Sequence, residues 1–160
     1  MRFSRQIGIA LAIMTGFIAG CSTTDNSDSK TTQPRAEKSM QQGSLYQRLG
    51  EKPAITAVVD DFVARVAADS RINGRFANTN IPQFKMKLVD QICSASGGPC
   101  TYTGRDMKSA HAGMRISNAD FDALVGDLVA TLNKFKVPER EKNELLAVLG
   151  PMRKDIVEKP

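Results

Sequence analysis

The chain has 160 residues, with 22 lysines and arginines against 17 acids, three cysteines, one histidine and no tryptophan. That length supports one small domain built on one hydrophobic core. The net charge of +5 comes without any basic run interleaved with aromatics, which argues against a nucleic-acid partner.

Residues 1–20 read as a signal peptide. "MRFSRQIGIALAIMTGFIAGC" holds Arg2 and Arg5, an apolar run from Ile7 to Ile18, and small residues before Cys21. The run is too short for a permanent membrane span. "IAGC" at 18–21 resembles a bacterial lipobox, in which the chain is cut before the cysteine and the cysteine is lipidated. The expectation is an exported lipoprotein, anchored to the membrane by a lipid on Cys21 and facing the periplasm. Ser22 follows in place of an aspartate, which directs the anchor to the outer membrane of a Gram-negative cell. Loss of Arg2 and Arg5 with the leader lowers the net charge from +5 to +3. Residues 21–43 are the lipidated cysteine and a polar tether. They carry almost no large apolar group, so burial cannot offset the entropy of ordering them.

The domain is expected over 44–157, and its periodicity is helical throughout. Residues 45–52 give a short helix ending at Gly50. A long helix opens with Pro53, suited to a first helical turn. Its Ile55, Val58, Val59, Phe62 and Val66 share one face. Gly74 interrupts, and Phe76 stands in a polar loop, "NGRFANTN". A second long helix covers 82–96, with Phe84, Leu88 and Ile92 one turn apart and Val89 and Cys93 beside them. Gly97 and Gly98 stop it. "CTYTGRD" is loop. "SNAD" at 117–120 has the form of a capping box and opens a third helix striped by Phe121, Leu124, Val125, Leu128, Leu132 and Phe135. Val137-Pro138 breaks the chain. A last helix places Leu145, Leu149, Met152 and Ile156 on one face, with a kink at Gly150-Pro151. The expected fold class is therefore all-α, with four substantial helices.

Cys93 and Cys100 form an even pair in an oxidising compartment. "SASGGP" between them is a turn. A structural disulfide there adds roughly 2–3 kcal/mol in the chain-entropy model; a redox pair and two free thiols are the other readings.

His111 decides the chemistry. It lies in the joint between the second and third long helices, where periodicity is weakest. No G-x-S-x-G accompanies it for nucleophilic catalysis. One histidine and a C-x6-C pair match zinc poorly, and no phosphate-cradling glycine loop opens a helix. Asp60 and Asp61 are neighbours on a helix and diverge. A haem site needs only one strong axial ligand and an apolar helical cage. A structural histidine satisfies the same residues.

The order of short segments separates these. "LYQRLG", "VVDDF", "VAAD", "FANTN", "GGP", "YTGRDMK", "AH", "VP" and "LGPM" follow one another as they do in the group I truncated haemoglobins, and the chain resembles that family over almost the whole domain. The resemblance implies a two-on-two helical sandwich of globin type that holds haem b, with His111 as the proximal ligand to iron. It places Phe76 against the haem face, and Thr79, Tyr102 and Met107 at the haem edge. Gly97 and Gly98 match glycines that allow the shortened segment before the proximal histidine. Glu51 stands where the family usually has a second glycine.

On the other face the resemblance places Phe62 and Val63 from the first long helix, and Phe84, Lys87 and Leu88 from the second. Many relatives have a tyrosine at Val63 and glutamines at Phe84 and Leu88, so this pocket is expected to be apolar. Lys87 stands where some relatives use a lysine as a sixth ligand, although solvent or a haem propionate suits it better. Gln91, one turn beyond Leu88, Met86 and Met114 are weaker candidates for that side. The function implied is binding of a diatomic gas (dioxygen, carbon monoxide or nitric oxide), favoured over an enzyme. The alternatives are a nitric oxide or peroxide-linked oxidoreductase fed by an unidentified electron donor, and an electron-transfer or haem-storage lipoprotein.

Overall fold

The computed structural model describes residues 43–159. The expected signal peptide and all but the last residue of the tether lie outside the described residues. In chain order the elements are α1 (Leu45–Arg48), α2 (Glu51–Ala68), a 3-10 turn (Asn73–Phe76), α3 (Ile81–Ala95), α4 (Met107–His111), α5 (Asn118–Lys134), α6 (Glu139–Leu149), a second 3-10 turn (Gly150–Met152) and α7 (Arg153–Ile156). No strand occurs among the described residues; Ser117 and Lys159 form one isolated bridge.

α2 is the central element and packs against both α3 and α5. Its Ile55, Val59, Phe62 and Val66 recur at helical spacing and are all buried. They meet Val89, Ile92 and Cys93 of α3 and Leu128 and Leu132 of α5 in one core. Burying each such side chain is worth about 1.5–3 kcal/mol. Arg48 ties α1 to α6 through Glu141, at 2.9 Å, and Glu144.

The helix ends follow local chemistry. Asn80 caps α3 by accepting from the Gln83 N–H at 3.0 Å. The expected capping box is formed at α5: Ser117 Oγ accepts from Asp120 N–H, and Asp120 accepts from Ser117 N–H. α3 ends in a Schellman motif, with Gly98 N–H bonded to the Cys93 carbonyl and Gly97 N–H to the Ser94 carbonyl. Gly97 sits at φ +82°, a conformation that favours glycine. Just beyond, the sulfurs of Cys93 and Cys100 lie 2.02 Å apart.

Four boundaries differ from the sequence expectation. α1 stops at Arg48. α2 starts two residues before Pro53, with Gly50 as its N-cap; the missing proline donor costs nothing in a first turn. Glu51 consequently adopts φ +62°, a strained conformation for a residue with a Cβ. Phe76 ends a 3-10 turn rather than lying in open loop. Gly150-Pro151 breaks the last helix into α6 and α7 instead of kinking it.

One buried group works against the fold. Asp127 on α5 is 8% exposed, and its Oδ2 has no hydrogen-bond partner. Burial, followed by the neighbouring charge of Asp69, pushes its carboxyl up, against the pull of Arg71 and Arg65. The charged form therefore disfavours folding, and the penalty disappears as pH falls and Asp127 takes up a proton. Asp127→Asn removes the charge and supplies an N–H donor in place of a carboxylate oxygen. It should raise Tm near neutral pH, with the gain shrinking toward about pH 4. Thermal melts across that range check this; a lower Tm for the variant at neutral pH contradicts it.

Candidate functional site

His111 is the last residue of α4, a helix of five residues none of which is buried. A helix this short is unstable alone, so its ends must be held. At its start Asp106 Oδ1 accepts from Ser109 N–H at 2.9 Å and Oδ2 from the Ser109 hydroxyl at 2.6 Å. These bonds, the hydroxyl's first, hold the Asp106 carboxyl below the usual carboxylate range. α4 also packs against α7.

The ring of His111 is half-buried, and its Nδ1 lies 2.7 Å from the Met107 carbonyl oxygen. A carbonyl only accepts, so Nδ1 carries the proton and Nε2 keeps its lone pair. That tautomer is the one a metal-binding imidazole needs, and the bond to the Met107 carbonyl also fixes the ring plane.

α3 presents the facing surface. Phe84, Leu88 and Gln91 follow at helical spacing, so they share one face. Phe84 and Leu88 are half-buried and pack against the core. The Phe84 ring lies 5.5 Å from that of Phe76, tilted by 50°. Phe62 and Val63 are buried on α2, 5% and 4% exposed. Phe62, Val63, Phe76, Phe84 and Leu88 all belong to or pack on one apolar cluster, an apolar wall in which none of the five side chains carries a hydrogen-bond donor.

Further along the same face, Gln91 Nε2 donates to Met107 Sδ at 3.5 Å and Met152 Sδ at 3.3 Å. It is therefore turned toward the His111 helix and not toward the apolar wall. Lys87 Nζ donates to Thr103 Oγ1 at 2.7 Å, bridging α3 to the loop before α4. Tyr102 donates its hydroxyl to the Arg105 carbonyl at 2.8 Å. Its ring lies so close to Gly104 that a Cβ there would clash. Thr79 is half-buried, and its N–H bonds the Phe76 carbonyl. Met86 and Met114 are exposed.

The structure thus gathers the sequence candidates into two groups. Phe62, Val63, Phe76, Phe84 and Leu88 join the core cluster, while Met107 and His111 sit together with Gln91 and Met152. Lys87 on α3 and Tyr102 both bond the loop before α4, through Thr103 and the Arg105 carbonyl, while Thr79 bonds back to the Phe76 carbonyl. Sequence reasoning missed Met152 and the role of Asp106. Asp106 with Ser109 three residues later has the spacing of an N-cap, a signal that was there to be read.

The arrangement fits a flat apolar group that brings its own metal. One imidazole nitrogen is left for a metal, and α3, which carries the half-buried Phe84 and Leu88, reaches α4 through Gln91 and Met107. Among the described residues no three His, Cys, Asp or Glu side chains gather to hold a bare ion. A separate surface concavity of about 420 Å³, lined by Asn118, Gly150, Pro151, Arg153, Lys154 and Val157, contains none of these residues.

Comparison with known proteins points the same way. A family model described as bacterial-like globin matches residues 44–158. A group 1 truncated hemoglobin of Mycolicibacterium paratuberculosis is 36% identical over 113 residues, spanning 71% of this chain and 83% of that one. The group 1 truncated hemoglobin of Tetrahymena pyriformis is 35% identical over 116 residues, spanning 72% and 96%. The crystal structure of the T. pyriformis truncated hemoglobin in its Fe(III) form superposes with a TM-score of 0.70, covering 73% of this chain and all of that one at 35% identity. A 2/2 hemoglobin of Synechococcus in the cyanomet state gives 0.69 at 31% identity, covering 73% and 100%.

Proposed function

We propose that this chain, which belongs to the group 1 truncated haemoglobins, binds haem b through His111 Nε2 and a diatomic gas on the opposite haem face. Its fold is the all-α two-on-two globin sandwich, and the family is one of haem-binding, gas-binding proteins. The observation that carries the residue assignment is the 2.7 Å contact between His111 Nδ1 and the Met107 carbonyl.

Haem supplies an iron with one position for the protein and one for a gas. The chain supplies the rest. His111 binds and orients. Phe76 and Phe84 offer ring surface to a porphyrin, and Met107 and Tyr102 border its edge. Val63, Phe84 and Leu88 exclude water on the gas side and give a polarised ligand no donor. A charge-assisted hydrogen bond of that kind is worth about 1.5–3 kcal/mol. Dioxygen, which polarises strongly, loses more by its absence than carbon monoxide.

Gas binding is favoured over electron transfer with an internal sixth ligand. Lys87 is engaged with Thr103, Gln91 with two methionine sulfurs, and Met86 is 61% exposed. Oxidation of nitric oxide or peroxide-linked chemistry would need an electron donor outside this chain and polar help beside the gas, which the apolar wall does not provide.

We also propose that the protein is an exported lipoprotein held at the outer membrane by Cys21. The charged start, apolar run and "IAGC" support this, together with a cysteine pair at bonding distance that suits an oxidising compartment.

Three outcomes follow. Haemin titrated into the purified mature chain should saturate at one per chain with a sharp Soret band, and His111→Ala should weaken binding at least about tenfold; equal binding by the variant contradicts the assignment. Val63→Tyr, which adds a hydroxyl to the wall, should slow dioxygen loss by about tenfold in flow-flash kinetics, and an unchanged rate means this wall does not face the gas. Mass spectrometry of the mature chain should find a lipidated Cys21 terminus and a gain of two hydrogens on reduction. An unmodified terminus or two free thiols counts against the anchor or the bridge respectively.

A further inference from the structure

The five residues after His111 take an unusual path. Ala112 leaves the helix at once, with ψ 128°. Gly113 and Arg115 then adopt φ +80° and +54°, the second strained for a residue with a Cβ. Within this segment the Met114 N–H donates to the His111 carbonyl at 3.1 Å.

Its other restraints come from far along the chain. Gly113 N–H donates to Glu158 Oε1 and Arg115 N–H to Glu158 Oε2, both at 2.6 Å. The backbone N–H groups of Glu158 and Lys159 both donate to the Ile116 carbonyl, at 2.9 and 3.1 Å. Arg75, next to Phe76, closes the other side. Its Nη1 donates to the Met114 carbonyl at 2.7 Å and its Nη2 to Asp120 at 2.8 Å.

We propose that the Glu158 carboxylate is a positioning residue for the proximal histidine, clamping the strained 113–115 turn and so fixing where α4 ends. The inference rests on the haem reading above. α4 packs against α7; the Asp106 cap holds its front and the Glu158 clamp its back. The two N–H bonds, Gly113's first, also hold the Glu158 carboxyl below the usual carboxylate range, consistent with an ionised acceptor near neutral pH. Two charge-assisted bonds from one carboxylate are a stronger and more directional restraint than ordinary loop contacts. Outer-shell groups of this kind act on a metal through its ligand and commonly change affinity by about 10–100-fold.

The test uses the mature chain reconstituted with haemin. Glu158→Ala removes both acceptors, and Glu158→Gln keeps one. In the reduced protein the iron–histidine stretching band, read by resonance Raman, should shift and broaden in Glu158→Ala. Haem transfer to apomyoglobin should accelerate by roughly tenfold, with Glu158→Gln between the variant and wild type. Lys154→Ala, an exposed cation on α7, should leave both unchanged. A fall in Tm alone, with band position and haem-loss rate equal to wild type in both Glu158 variants, overturns the clamp. A Glu158→Ala chain that does not refold leaves Glu158→Gln to decide on the same two readouts. A wild-type protein that takes up no haemin contradicts the haem reading and the clamp with it; a wild-type protein that binds haemin but whose band and haem-loss rate neither variant moves contradicts the clamp alone.

Discussion

The hydrogen bond from His111 Nδ1 to the Met107 carbonyl determines which nitrogen of the chain's single histidine is free. It spans one turn of α4, so tautomer, ring orientation and helix are set together. Were Nε2 the protonated nitrogen, the same residue in the same place would be a poor metal ligand. The apolar wall and the family membership say what kind of group belongs here; this bond says which atom would hold it.

The rest of the domain can be understood as support for that short helix. α2, buried along Ile55, Val59, Phe62 and Val66, fixes α3 and α5 against it. α3 carries Phe84, Leu88 and Gln91 on one face, so one rigid helix supplies both the apolar wall and the polar contact to Met107. The Schellman end at Gly97 turns the chain immediately, and the Cys93–Cys100 pair pins the turn from which the loop runs to α4. Tyr102 and Lys87 then brace that loop through Arg105 and Thr103. Burial rigidifies the long helices, whereas the short α4 segment is held at its ends by directional polar bonds. Such segments open at lower free energy than a core, which suits the proposed site.

The long helices were legible because their apolar spacing and end signals agree. The 55/59/62/66 stripe, the Ser117 capping box and the Gly97 stop each have a local cause within a few residues, whereas the Asn80 cap went unread. The start of α2 was misplaced because Pro53 looks like a first helical residue, while Gly50 at φ +87° begins the helix earlier and leaves strain on Glu51. α4 left no trace in periodicity, since none of its five residues is buried. Gly150-Pro151 was legible as an irregularity but not as a full break. At the site, His111 stood out as the only histidine, yet the residues alone left structural and haem-binding roles open; the resemblance in the order of the short motifs is what favours the second. Glu158 and Arg75 could not be read at all. Their partners lie some forty residues away, backbone groups for Glu158 and a backbone carbonyl plus the Asp120 carboxylate for Arg75, and a backbone partner leaves no pattern in side-chain identity.

The most direct measurement uses the fact that the chain has one histidine. Histidine labelled with nitrogen-15 gives a single pair of ring signals, and the carbon monoxide form of the reduced haem protein is diamagnetic. The account predicts a protonated Nδ1 in slow exchange with water and an Nε2 signal displaced from its free-imidazole position when haem is bound. A protonated Nε2, or a pair of ring signals that does not change on adding haem, would contradict it.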